Sequence, residues 1–166
     1  MDIFYNRQSI RVYTDQEISN DLINQIIDAG IYAPSAGRLF PWSFIVIENK
    51  EVLHKLSKIS KYASSLLTAN KAIIICLDTK RCKVDHKMWV PILSACTENV
   101  LLKITELGLG GVWITCYPLE DKIKFVQENI NLMDDEYPFA IIALGYPNET
   151  PENTKKDRIK KVRYIK

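Results

Sequence analysis

The chain has 166 residues, 47% apolar and 25% charged, with three Trp, eight Tyr and five Phe. That is too apolar for a disordered chain and too charged for a membrane-embedded one, and six Gly with seven Pro exclude collagen-like or low-complexity structure. The net charge of +2 is local, because residues 155–166 carry seven Lys or Arg against one acid and leave the rest of the chain net negative.

The length predicts one domain over residues 1–166, burying roughly 70% of the surface of its unfolded chain, with residues 147–166 as a basic C-terminal tail. Such a tail reads first as a solvated end and second as an arm that clamps a phosphate. A nucleic-acid binder would instead spread basic residues over a folded face. The N-terminal residues 1–7 hold no apolar run fit for a signal peptide. The longest apolar runs, 72–77 and 139–144, are six residues each, against the ~20 needed to span a bilayer. The expected location is cytoplasmic, with neither membrane nor nucleic acid as partner.

In chain order, Thr14 and Ser19 offer N-caps ahead of Leu22, Ile23, Ile26 and Ile27, which share one helical face, and this helix should stop near Gly30. Residues 33–37, Ala-Pro-Ser-Ala-Gly, are loop chemistry, and 44–47 reads as a strand. Helical spacing recurs over 51–65 through Val52, Leu56 and Ile59. Residues 72–77 and 139–144 are continuous apolar stretches, predicting strands buried on both faces. Between them lie a long helix over 89–107 stopped by Gly108, a strand over 112–116 and a helix over 120–130. The apolar arc of the long helix is broad, so contact on more than one side is expected. Helices on a single sheet imply an α/β or α+β sandwich, with the strand order open.

Several chemistries find no support. No G-x-x-x-x-G-K-[ST] and no G-x-G-x-x-G runs from strand into helix, and residues 108–111 pass from helix into strand, the wrong direction for a Rossmann turn. Cys76, Cys82, Cys96 and Cys116 form no C-x-x-C pair, and three of them sit in apolar stretches as buried, reduced thiols would. His54 falls on a charged helix face. Cys82, Asp85 and His86 match no zinc spacing, so no metal site is expected. No Ser or Cys stands in a nucleophile elbow, and no catalytic acid, base or nucleophile is assigned.

Anion-binding groups do concentrate near the N-terminus. Arg7, Ser9 and Arg11 lie at i, i+2 and i+4, one side of an extended segment, and two guanidiniums with a hydroxyl suit a phosphate or the edge of a heterocycle. The loop over 33–42 is small and backbone-rich ahead of an aromatic anchor, which lets main chain approach a flat ligand.

The order of these segments resembles the FMN-dependent nitroreductase family. The matching features are Arg-x-Ser-x-Arg at 7–11, the A-P-S-A-x-x-x-x-P-W loop at 33–42, G-L-G-x-x-W-I at 108–114, Gly-Tyr-Pro at 145–147 and the K-x-R tail at 156–158. The resemblance implies an α+β fold, a three-layer α/β/α sandwich assembled as an intertwined homodimer with FMN at the subunit interface. It further implies that Arg7, Gln8, Ser9 and Arg11 contact the FMN, with Arg11 near N1 and O2, and that Lys156 and Arg158 close on the phosphate. Pro34, Ser35 and Ala36 would line the site from the partner chain, and Thr115 and Cys116 would bring backbone near N5.

Three positions depart from the family pattern. Arg38 stands where Asn often meets the flavin pyrimidine, Phe40 where Gln precedes Pro-Trp, and Cys116 where Gly is common. The implied function is an oxidoreductase passing a hydride from NADH or NADPH through FMN to a flat acceptor such as a nitroaromatic or quinone. The departures motivate an alternative, a flavin-binding protein without turnover that serves as sensor or electron store.

Overall fold

Ser19 caps the first long helix, its Oγ accepting from the Leu22 N–H at 3.4 Å, and Ile23 and Ile26 on the inner face are buried. In the computed structural model, which describes residues 3–150 and 161–165, this helix is α2, Asn20–Ile31. One turn precedes it, α1, Ile3–Asn6. The chain continues through β1 (Trp42–Ile47), α3 (Lys50–Leu56), β2 (Lys71–Asp78), α4 (Trp89–Glu106), β3 (Gly110–Thr115), α5 (Glu120–Asn129) and β4 (Glu136–Gly145). The helix expected over 51–65 ends at Leu56 instead. Two 3-10 turns follow it, Ser57–Ile59 and Ser64–Leu67, separated by Ser60 in an extended conformation with φ −164°.

The four strands form one antiparallel sheet in the order β1-β2-β4-β3. Residues alternate between its faces. Ile73, Ile75, Leu77, Ile142 and Leu144 pack beneath α2 and α4, whereas Ala72, Ile74, Cys76, Ile141 and Ala143 pack beneath α3, α5 and the turns between. These are the three layers of an α/β/α sandwich. Central β2 and β4 bury both faces, which is why they read as unbroken apolar runs. Pro138 sits inside β4, which a central strand tolerates only where pairing slips. The register shifts there, between Ile75 and Cys76 on β2, opposite Pro138.

The broad arc of α4 has two causes. Trp89, Leu93, Val100 and Ile104 join the apolar layer over the sheet, while Asn99 donates to the Ala29 carbonyl on α2 at 3.1 Å. Its remaining face, through Pro91 and Glu98, points outward.

A glycine pair seats the N-terminal segment on the sheet. Gly110 of β3 and Gly145 of β4 stand opposite each other. A methyl on Gly110 would meet Ile10 Cβ at 2.7 Å, and one on Gly145 would meet Tyr13 Cβ at 2.7 Å. Ile10 and Tyr13 therefore lie directly on bare backbone, and the Tyr13 hydroxyl donates to the Ile10 carbonyl at 2.5 Å with the Ala143 carbonyl oxygen 3.0 Å away. Burial holds this phenol well above its ordinary pKa, so it stays a neutral donor. Gly110→Ala is expected to destabilise the protein by about 1–3 kcal/mol, the usual range for overpacking. Urea unfolding that shows no loss for this variant would contradict the seat.

Candidate functional site

The N-terminal segment is held in place along its length. Arg7 N–H closes the α1 turn on the Ile3 carbonyl at 2.9 Å, Ser9 bridges in parallel to Gly111, and Ile10 N–H donates to the Gly111 carbonyl at 3.1 Å. The Glu149 carboxylate accepts from the main-chain N–H of Arg11 and, at 3.3 Å, from that of Val12. Residues of the segment then alternate. Gln8 and Ile10 face a groove of about 330 Å³ shared with Asn6, Thr105, Leu109 and Glu149, which Arg7, Ser9 and Arg11 do not line.

Arg7 is three-quarters buried and lies against α4, its Nε 3.4 Å from Glu98 Oε1. The guanidinium makes no hydrogen bond among the described residues, so its donors are available to an oxyanion. Arg11 is exposed, with Nη1 donating weakly to the Ser9 carbonyl at 3.4 Å.

The loop after α2 reaches the same face of α4 nearer its N-terminus. Pro34, Ser35 and Ala36 line an open, mostly apolar groove of about 430 Å³ with Met88, Pro91, Ile92 and Ala95. Pro91, Ala95 and Glu98 follow helical spacing along one stripe. The loop groove and Arg7 are therefore some 10 Å apart along α4, at about 1.5 Å per residue.

Ser35 shapes this loop. Its Oγ accepts from the Phe40 N–H at 2.9 Å and its carbonyl from the Arg38 N–H at 3.0 Å. Between these bonds Gly37 (φ 62°), Arg38 (φ 54°) and Phe40 (φ 44°) all adopt left-handed backbone. For Arg38 and Phe40 that conformation costs of order 1–2 kcal/mol each, and strain of this kind gathers at ligand clamps. Phe40 is partly supported by Trp42, ring centroids 5.6 Å apart. Arg38 is exposed.

β3 is an edge strand, and the Ile10–Gly111 bond shows which of its main-chain groups face outward. By the alternation of an antiparallel ladder, those of Gly111, Trp113 and Thr115 point to the open edge and those of the residues between them point to β4. The Cys116 N–H is engaged by the Phe139 carbonyl at 3.2 Å, whereas the main chain of Thr115, exposed at the strand end, has no partner among the described residues. Burial pushes the Cys116 thiol up to about 12, with Lys122 pulling weakly the other way, and leaves it an inert packing group. Cys96 is likewise pushed up to about 12 by burial.

The remaining titratable clusters are separate from this corner. Cys82 Sγ lies 3.7 Å from His86 Nδ1 in the loop before α4, and no group of three His, Cys, Asp or Glu able to hold a metal occurs among the described residues. Lys156 and Arg158, expected on the phosphate, lie outside the described residues. No helix among the described residues is long and apolar enough to cross a membrane.

Sequence and structure comparisons converge on one family. The Nitroreductase family profile matches residues 5–89. An Archaeoglobus fulgidus protein provisionally named NADH dehydrogenase/NAD(P)H nitroreductase is 40% identical over 90% of this chain and 86% of its own length. A Clostridium acetobutylicum structure provisionally described as an NADH oxidase superposes with a TM-score of 0.87 at 38% identity, covering 98% of this chain and 100% of that one. An FMN-dependent nitroreductase from Clostridium difficile superposes at 0.84 with 29% identity, covering 99% and 98%. The chain belongs to the nitroreductase family.

Proposed function

We propose that this protein is an FMN-dependent oxidoreductase that takes reducing equivalents from NADH or NADPH and delivers them to a flat acceptor such as a nitroaromatic or quinone. The supporting observation is the corner where α4 meets the edge strand β3. There Arg7 offers an open guanidinium edge beside Ser9, Arg11 adds a second exposed cation, and free β3 backbone extends to Thr115. These residues fit a flavin mononucleotide. A dianionic phosphate needs a guanidinium whose Nη edge is unspent, and a flat ring needs exposed backbone donors against a wall of small residues. Beyond Gly111, whose main chain is taken by Ser9 and Ile10, the open edge from Trp113 to Thr115 runs about 7 Å, at ~3.3 Å per residue, enough to flank a ring.

Bound FMN supplies two-electron redox chemistry, with hydride passing through flavin N5. The protein's part is positioning and charge. Arg7 and Ser9 hold the phosphate with Lys156 and Arg158 of the tail, while Gln8, whose side chain lines the groove on the other side of the segment, meets the flavin only through its main chain. Arg11 offsets negative charge at the pyrimidine edge near N1 and O2. Thr115, next to Cys116, presents backbone toward N5. By the family resemblance, Pro34, Ser35, Ala36 and Arg38 line the site from a second copy of the chain. The working unit is then a cytoplasmic homodimer in which residues 1–166 form one FMN-binding domain and 147–166 its basic tail.

The test is the visible absorbance of the purified protein before and after anaerobic NADH or NADPH. A flavin spectrum that bleaches with a nicotinamide is expected. Flavin that stays oxidised would favour a binding protein without turnover, and a colourless protein that takes up no added FMN would overturn the proposal.

A further inference from the structure

We infer that Glu98 is a positioning residue for the flavin phosphate, acting through Arg7; the inference rests on the flavin reading given above. Glu98 sits on the outward stripe of α4, half exposed, with Oε1 3.4 Å from Arg7 Nε. Arginine carries considerable rotamer entropy, and one emerging from a four-residue helical turn would otherwise sweep a wide arc. The carboxylate attracts the inner end of the guanidinium by charge, and the guanidinium makes no hydrogen bond among the described residues, so its donors remain for a second anion. One guanidinium then bridges two anions, a fixed carboxylate behind and a phosphate in front.

Stability alone does not explain the pair. A half-solvated ion pair contributes little to folding, and the segment is already anchored by the Ile10 N–H bond to Gly111 and by the Ser9–Gly111 bridge. The pair instead sets where the guanidinium points. Its placement is also selective. Ser9 bridges to the edge strand β3 and, like Arg7, stays out of the groove lined by Gln8. A carboxylate bridged to a phosphate by one guanidinium lies within the Debye length of about 8 Å and repels it with only partial screening. The effect of Glu98→Ala on FMN affinity therefore reads whether pre-ordering outweighs that repulsion.

The role separates phosphate recognition from ring recognition, so the experiment compares FMN with riboflavin, which lacks the phosphate. Apoprotein is titrated with each by fluorescence quenching, using wild type, Glu98→Ala, Glu98→Gln, Arg7→Ala and the double variant. Glu98→Ala is expected to weaken FMN about three- to tenfold and leave riboflavin unchanged, the scale of an exposed ion pair plus one ordered side chain. Glu98→Gln, which keeps an acceptor for Nε, should recover part of the loss. In the Arg7→Ala background the Glu98→Ala change should have no further effect.

If Arg7→Ala weakens FMN while Glu98→Ala leaves it unchanged or tighter, the positioning role is wrong and the flavin site stands. If Arg7→Ala itself retains full FMN affinity, Arg7 leaves the site and this inference fails while the flavin reading stands; wild-type apoprotein that takes up no FMN overturns the flavin reading. Equal losses for FMN and riboflavin on Glu98→Ala, accompanied by a lower melting temperature, would mark Glu98 as merely structural and overturn the role.

Discussion

Arg7→Ala is expected to weaken FMN binding by about ten- to a hundredfold, because a charge-assisted contact to an oxyanion contributes ~1.5–3 kcal/mol. The size follows from the state of the guanidinium. Its Nε lies 3.4 Å from Glu98 Oε1, it makes no hydrogen bond among the described residues, and its side chain is only 24% exposed. Such a donor is desolvated and ordered before the ligand arrives, so its contact is not discounted as a fully solvated one would be. The fold should survive the change. Arg7 contributes no side chain to either apolar layer, and its main-chain bond to Ile3 is kept by alanine. Isothermal titration with FMN alongside a melting curve separates the two effects. A variant that purifies yellow with wild-type affinity would remove Arg7 from the site.

Much of the fold follows from local rules that the residues display openly. Ser19 caps α2 as its hydroxyl and the following Leu22–Ile27 spacing indicate, and β2 and β4 read as apolar because both faces are covered. The failures are just as local. Val52, Leu56 and Ile59 keep helical spacing beyond the end of α3, because a 3-10 turn buries nearly the same side. α1 is a single turn, too short to show any period. The Pro138 bulge and the Gly110–Gly145 seat depend on strand register, which no single segment encodes.

The candidate site divides in the same way. Arg7, Ser9 and Arg11 are legible together because an extended segment puts alternate residues on one side. Their partner Glu98 is not, since only the packing of α1 on α4 brings two residues so distant in sequence within 3.4 Å. The left-handed Arg38 and Phe40 are also hidden, because neither residue type signals positive φ; only the Ser35 bonds that enforce it do. Cys116 reads in sequence as a change to the cofactor face, yet its side chain is fully buried in the apolar layer away from α4.

Trp89→Ala is expected to destabilise the protein by about 3–5 kcal/mol, a large share of the 5–15 kcal/mol typical of a folded domain. Trp89 opens α4 and is fully buried. Its ring meets Tyr117, Phe139 and Tyr137 edge-on, with centroids 4.6, 5.9 and 6.2 Å away, and its Nε1 donates to the Val84 carbonyl at 2.9 Å. Alanine removes the packing and the donor together, leaving a cavity and an unpaired carbonyl. Trp89→Phe keeps most of the packing and loses only the donor, so its cost should be less than half as large. At about 2–4 °C per kcal/mol for a chain of this length, the alanine variant should melt some 6–20 °C lower. Unlike Arg7→Ala, it should also loosen the groove shared by Pro91, Ile92 and Ala95 with the loop at Pro34–Ala36, because all three hang from the end of α4 that Trp89 anchors. Affinity and melting temperature should thus fall together for Trp89→Ala and separately for Arg7→Ala. A Trp89→Ala protein that melts within 2 °C of wild type, below the smallest loss its burial permits, would mean that α4 is anchored elsewhere along its length.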